Sequence, residues 1–161
     1  LLPADAATAE AKLRHALEQA PQHVSARLLL AQLLFEKDRL DESRQLIEQL
    51  ASRAQLGEEG ERLKAKLDLR QAADGIGTVD QCRAAAQAAP EDLSRQLDLA
   101  HALAAAGQYE EAMRTCLSVV ERDRKGAGEQ SRQLLVQLFQ LLGDANPLVE
   151  QYRRKLAMAL Y

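Results

Sequence analysis

Three histidines, two cysteines and a cluster of glutamates are the residues whose types could do chemistry, and their spacings build no site. His15, His23 and His101 fall on separate segments. None stands at a metal-ligand spacing from a cysteine or another histidine. Cys82 and Cys116 are 34 residues apart, with no further cysteine at redox or metal spacing. Both fall on the apolar face of a helical pattern, where a free thiol behaves as a small hydrophobe. A redox enzyme working through either would need a thiol that titrates rapidly in the native state. Glu58, Glu59 and Glu61 read as the charged start of a helix, where acids suit the dipole. No glycine-rich phosphate loop and no nucleophile elbow is present. The sequence therefore predicts no catalytic residues, no metal and no cofactor, and the chain is expected not to be an enzyme.

What must be positioned is therefore a surface, and the composition says from what. The 161 residues include only five aromatics and four prolines, and Ala, Leu, Glu, Gln and Arg dominate. That is the composition of packed helices with small side chains between them. The net charge is −3, from 21 basic and 24 acidic residues of interspersed sign, which leaves no nucleic-acid footprint and no polybasic membrane patch. The short basic runs 122–125 and 153–155 suit solvated helix ends. No apolar run approaches the ~20 residues a bilayer crossing needs. Lone cysteines point to the cytoplasm.

Sliding the chain against itself reveals a repeat. An offset of 69 residues carries Pro21 onto Pro90, Ser25 onto Ser94, Leu28 onto Leu97, Leu30 onto Leu99, Ala31 onto Ala100, Leu34 onto Leu103 and Glu42 onto Glu111. Arg14 and Ala16 meet Arg83 and Ala85 in the same way. Half of that offset is about 34 residues, one helix-turn-helix unit, so a divergent unit lies between the two similar ones. Small residues at Ala31, Ser43, Ala100 and Ala112 let paired helices approach, while Leu34, Ile47, Leu103 and Cys116 fill the space beside them. Pro21 and Pro90 stop the preceding helices, and Gly107 is expected to turn the chain at positive φ. The period predicts helices over 4–20, 24–37, 40–53, 58–73, 78–89, 93–106, 109–123, 127–142 and 146–160. Asn146 is expected to cap the last, with Pro147 in its first turn.

The runs Leu30-Ala31…Leu34…Asp38…Ser43…Ile47 and Leu99-Ala100…Leu103…Gly107…Ala112…Cys116 resemble the tetratricopeptide signature. The departures are the divergent middle unit and Arg27 and Gln96, which stand where that pattern has an early aromatic. The fold class expected is all-α, a tetratricopeptide-type helical-repeat solenoid of about nine antiparallel helices forming a single domain over 1–161.

A narrower resemblance lies at the ends. Leu1-Leu2-Pro3, the stretch Gly143-Asp144-Ala145-Asn146-Pro147-Leu148-Val149, then Tyr152-Arg153-Arg154-Lys155-Leu156 and Leu160-Tyr161 are similar to the bacterial YbbN/CnoX co-chaperones, the chaperedoxins. That resemblance implies an upstream thioredoxin-like domain. It also implies a cytoplasmic, stress-related holdase that binds unfolding client proteins and passes them to the chaperonin GroEL or the DnaK system.

Residues of each unit's first helix that the packing pattern leaves unused are expected to line a concave client-binding groove. These are Ser25, Leu28, Gln32 and Phe35 in one unit and Ser94, Leu97, His101 and Ala104 in the other. They are apolar or neutral, so capture of a terminal carboxylate, which needs Lys, Arg and Asn, is disfavoured. Packing of Leu28 and Phe35 against neighbouring helices of the solenoid is the competing use of the same side chains. In the C-terminal helix, Leu148, Tyr152, Leu156, Ala159 and Leu160 are expected to pack on the preceding helix. Arg154, Met158 and Tyr161 occupy another face. Met158 and Tyr161 either fray at the terminus or, as the resemblance implies, dock with Arg154 on a partner chaperone. A generic scaffold that assembles a multiprotein complex is the alternative function.

Overall fold

The computed structural model of the protein describes residues 3–161; of the opening segment in the resemblance, Leu1 and Leu2 lie outside the described residues. Among the described residues the regular structure is helical throughout: α1 (Pro3–Gln19), α2 (Val24–Glu36), α3 (Leu40–Ala51), α4 (Gly57–Ala72), α5 (Val79–Ala88), α6 (Leu93–Ala105), α7 (Tyr109–Arg122), α8 (Ala127–Leu142) and α9 (Pro147–Leu160). Each lies within two residues of the expected span. No described helix is long and apolar enough to cross a membrane.

Local signals account for the boundaries. His23 caps α2, its Nδ1 accepting from Ala26 N at 3.2 Å. Thr78 and Gln81 form a reciprocal capping box on α5, and Asp92 accepts from Ser94 N and Arg95 N on α6. As expected, Asn146 caps α9, accepting from Leu148 N at 3.0 Å ahead of Pro147. Caps of this kind contribute about 1 kcal/mol each. The turn at Gly107 has φ +77°, and its repeat equivalent Asp38 holds the same left-handed turn at φ +59°.

The chain divides into two compact units, Leu1–Leu67 and Asp68–Tyr161. In the first, α2 packs against α1 and α3. Its core gathers Ala31, Ile47, Leu50, Leu56, Leu63 and Leu67. Ser43 Oγ donates to the Ala31 carbonyl at 2.7 Å inside that core, so the two small residues bring α2 and α3 together and satisfy the hydroxyl.

In the second unit α6 packs against α5, α7 and α8, and α7 against α6, α8 and α9. Ala100, Leu103, Ala112, Met113, Cys116 and Leu135 are fully enclosed. Gly128 is required at the start of α8, because a Cβ there would stand 1.6 Å from the Asp123 carbonyl oxygen.

The offset of 69 survives in the polar contacts. Arg14 reaches Glu42 at 3.1 Å and Arg83 reaches Glu111 at 2.9 Å. Arg53 donates to Gln22, and Arg122 pairs with Glu91 at 2.6 Å. Arg27 and Gln96, which replace the early aromatic, each reach back to a backbone carbonyl near the end of the preceding helix. Arg27 donates to the Pro21 oxygen and Gln96 to the Ala86 oxygen at 3.2 Å. Both long side chains tie helix to helix by hydrogen bonding where an aromatic would do so by contact area.

Candidate functional site

In the first unit, the face of α2 expected to be a groove opens into a cleft of about 250 Å³. Leu28, Gln32 and Phe35 line it from α2, four and three residues apart and hence on one side of the helix. Leu63 closes it from α4. Leu28 and Phe35 are half-buried, and besides lining the cleft they pack on the core of this unit. Glu36 on α2 and Glu59, Arg62 and Lys66 on α4 are exposed around the opening. Arg62 pairs with Glu58 on its own helix. Ser25 is exposed on the same helix but does not line the cleft.

The equivalent face of α6 is different. Leu97 is only 7 % exposed and Ala104 is buried, in a helix that α8 packs against. Neither is the open groove wall expected from the sequence. His101, the equivalent of Gln32, is half-buried, and its Nδ1 is enclosed without a hydrogen-bond partner among the described residues. Burial pushes its pKa down, and the nearby Asp98 carboxylate only partly opposes this. The imidazole is therefore neutral at pH 7.

The C-terminal helix departs from expectation in its partner. It packs mainly on α7, two helices back, and Val149 joins Tyr152 and Leu156 as its enclosed stripe. Burial, reinforced by the Glu110 charge on α7, raises the Tyr152 pKa. Leu148 is instead half-buried, lining an open cleft with Tyr109, Glu110, Arg114 and Leu142. Contact with the preceding helix includes Arg153, whose guanidinium sits 5.6 Å from the Phe139 ring centroid. On the far face Met158 is 72 % exposed and Tyr161 fully so, while Arg154 pairs with Glu150 of its own helix.

Both thiols are enclosed. Burial pushes Cys116 up to about 12 and raises Cys82, which donates to the Ile76 carbonyl at 3.7 Å. Neither supplies a thiolate at neutral pH.

A cluster that the sequence reading missed lies in the first unit. Glu10 accepts from Lys37 at 2.7 Å, Arg39 at 2.6 Å and Arg14 at 2.9 Å, and Arg39 also holds Glu42 at 2.7 Å. These cations, Lys37 foremost, pull the Glu10 pKa from 4.5 to about 2. Only Arg14 and Glu42 carried a repeat signal. At the equivalents of Glu10, Lys37 and Arg39 the second unit has Val79, Ala106 and Gln108.

A family model described as tetratricopeptide repeat matches residues 71–161, and a second of the same description matches residues 3–67. The chain belongs to the tetratricopeptide repeat family. It is an all-α helical-repeat protein, and repeats of this kind point to protein partners and a role in protein–protein interaction. No curated protein matches the chain. Among solved structures, a domain of a Vibrio parahaemolyticus protein of unknown function is similar, at 20 % identity and a TM-score of 0.47, covering 98 % of this chain and 92 % of that one.

Proposed function

We propose that this tetratricopeptide repeat protein is a non-enzymatic, cytoplasmic co-chaperone module that holds unfolding client proteins in the α2–α4 cleft and docks to a chaperone through α9. The observation that carries the client site is the convergence of Leu28, Phe35 and Leu63 in a cleft left open between two helices. Apolar surface that folding leaves accessible, rimmed by polar groups, is the usual mark of an interaction site. Gln32 belongs to this site. Leu97, buried in the core of the second unit, and His101 do not line it. The reading of α9 rests on Met158 and Tyr161, an adaptable and an amphipathic side chain exposed together at one helix end. The resemblance to the chaperedoxins supports GroEL or the DnaK system as the receiving chaperone.

One experiment with two arms tests this. Leu28→Glu with Phe35→Glu should keep the helical content and lose most suppression of aggregation of a denatured protein, while still co-eluting with the chaperonin. Met158→Glu with Tyr161→Ser should do the reverse. Full suppression by the first variant, or full co-elution by the second, contradicts the corresponding half of the proposal.

A further inference from the structure

The cleft's size and free charges narrow what it can hold. At about 250 Å³ it falls below the ~300–1,000 Å³ of sites that enclose whole small molecules. It is also too small to seat a helix about 10 Å across. It has room for one or two side chains of a segment passing over it. Among the described residues, Gln32, Glu36, Glu59 and Lys66 make no hydrogen bond or ion pair within the chain, whereas Arg62 is held by Glu58. The uncommitted charge at the opening is therefore two carboxylates against one ammonium. A terminal carboxylate would meet a net negative rim with a single free cation, short of the paired or forked donors such groups need. A cationic side chain would find two open acceptors. The Gln32 amide has both donor and acceptor capacity to offer a passing peptide group.

We infer that the cleft takes an internal, extended polypeptide segment in which one bulky aliphatic or aromatic residue is flanked by Lys or Arg. This rests on the reading that clients are held in the α2–α4 cleft, and specifies which segments of them enter it. The apolar residue contacts Leu28, Phe35 and Leu63, and the flanking cations face Glu36 and Glu59.

The test uses the full chain and short labelled peptides blocked at both ends, followed by fluorescence anisotropy. The probes are a central Leu flanked by Lys, the same Leu flanked by Glu, and a central Ser flanked by Lys. The Lys-flanked Leu peptide should bind best, the Glu-flanked one about three- to five-fold more weakly, as suits exposed charge pairs, and the Ser peptide not measurably. Glu36→Gln with Glu59→Gln should erase the flank preference, Lys66→Gln should widen it, and added salt should shrink it. Equal or better binding of the Glu-flanked peptide, or a preference unchanged in the double variant, overturns the inference. If that happens while Leu28→Glu with Phe35→Glu still abolishes aggregation suppression, only the segment preference falls. If the latter variant holds clients as well as the wild type, the site itself is wrong and the inference goes with it.

Discussion

Leu28 and Leu97 occupy the same repeat position, yet one lines an open cleft in the first unit and the other is sealed in the second. The difference comes from the helices that follow. The fourth helix presents Leu63 and Leu67 to the first unit's core but carries Glu59, Arg62 and Lys66 beside them. Long charged side chains lie along apolar surface with their heads in water, so the helix closes only part of the face of α2. The eighth helix buries Gly128, Ser131, Leu134, Leu135 and Leu138, and it packs against α6 and α7 together. Small residues let backbones approach, and the buried stripe of this helix carries no charged side chain. In a helical repeat, then, a position becomes core or surface according to the neighbour that follows, even when its own residue is unchanged.

Charge insertion should break this comparison with the largest effect. Leu97→Glu places an unpaired carboxylate in a dry site and should cost about 3 kcal/mol or more. The equivalent Leu28→Glu lets the carboxylate reach solvent through the cleft and should cost about 1 kcal/mol, the loss of a half-buried leucine. Thermal or denaturant unfolding of the two variants measures both, and similar losses would mean that the two faces are equally closed.

The repeat, the helix boundaries and the close crossings at Ala31 and Ala100 were legible in the sequence because they depend on local period and residue size. The Asn146 cap was legible for the same reason. The open or closed state of the two faces was not. Leu28 and Leu97 are the same residue in the same pattern, and what separates them lies in α4 and α8, some 35 residues further on. The docking of α9 on α7 also escaped, because Val149 and Leu148 both suit an apolar stripe and only the crossing geometry selects Val149. The Glu10 cluster joins charges 27 and 29 residues apart in the chain, and no periodicity announces it.

That cluster gives a smaller, pH-dependent contrast between the units. Because the folded-state pKa of Glu10 lies near 2 and its ordinary value is 4.5, its ion pairs stabilise the first unit fully above about pH 5. That contribution is lost progressively as the pH falls towards 2. The second unit has Val79 in its place and lacks this term. Residue-resolved NMR through an acid titration should show the first unit losing stability over that window, and Glu10→Gln should flatten the dependence. An unchanged dependence in Glu10→Gln would assign the acid sensitivity to other carboxylates.

The contrast between the two faces is tested most directly at Gln32 and His101, one repeat offset apart. Both native cysteines are buried, so Gln32→Cys and His101→Cys each introduce one reactive thiol. Maleimide labelling should be fast at position 32, several-fold slower at position 101, and slowed further at position 32 alone when a denatured client is held. Labelling at position 32 that is indifferent to a client the protein is demonstrably holding would contradict the cleft as the client site.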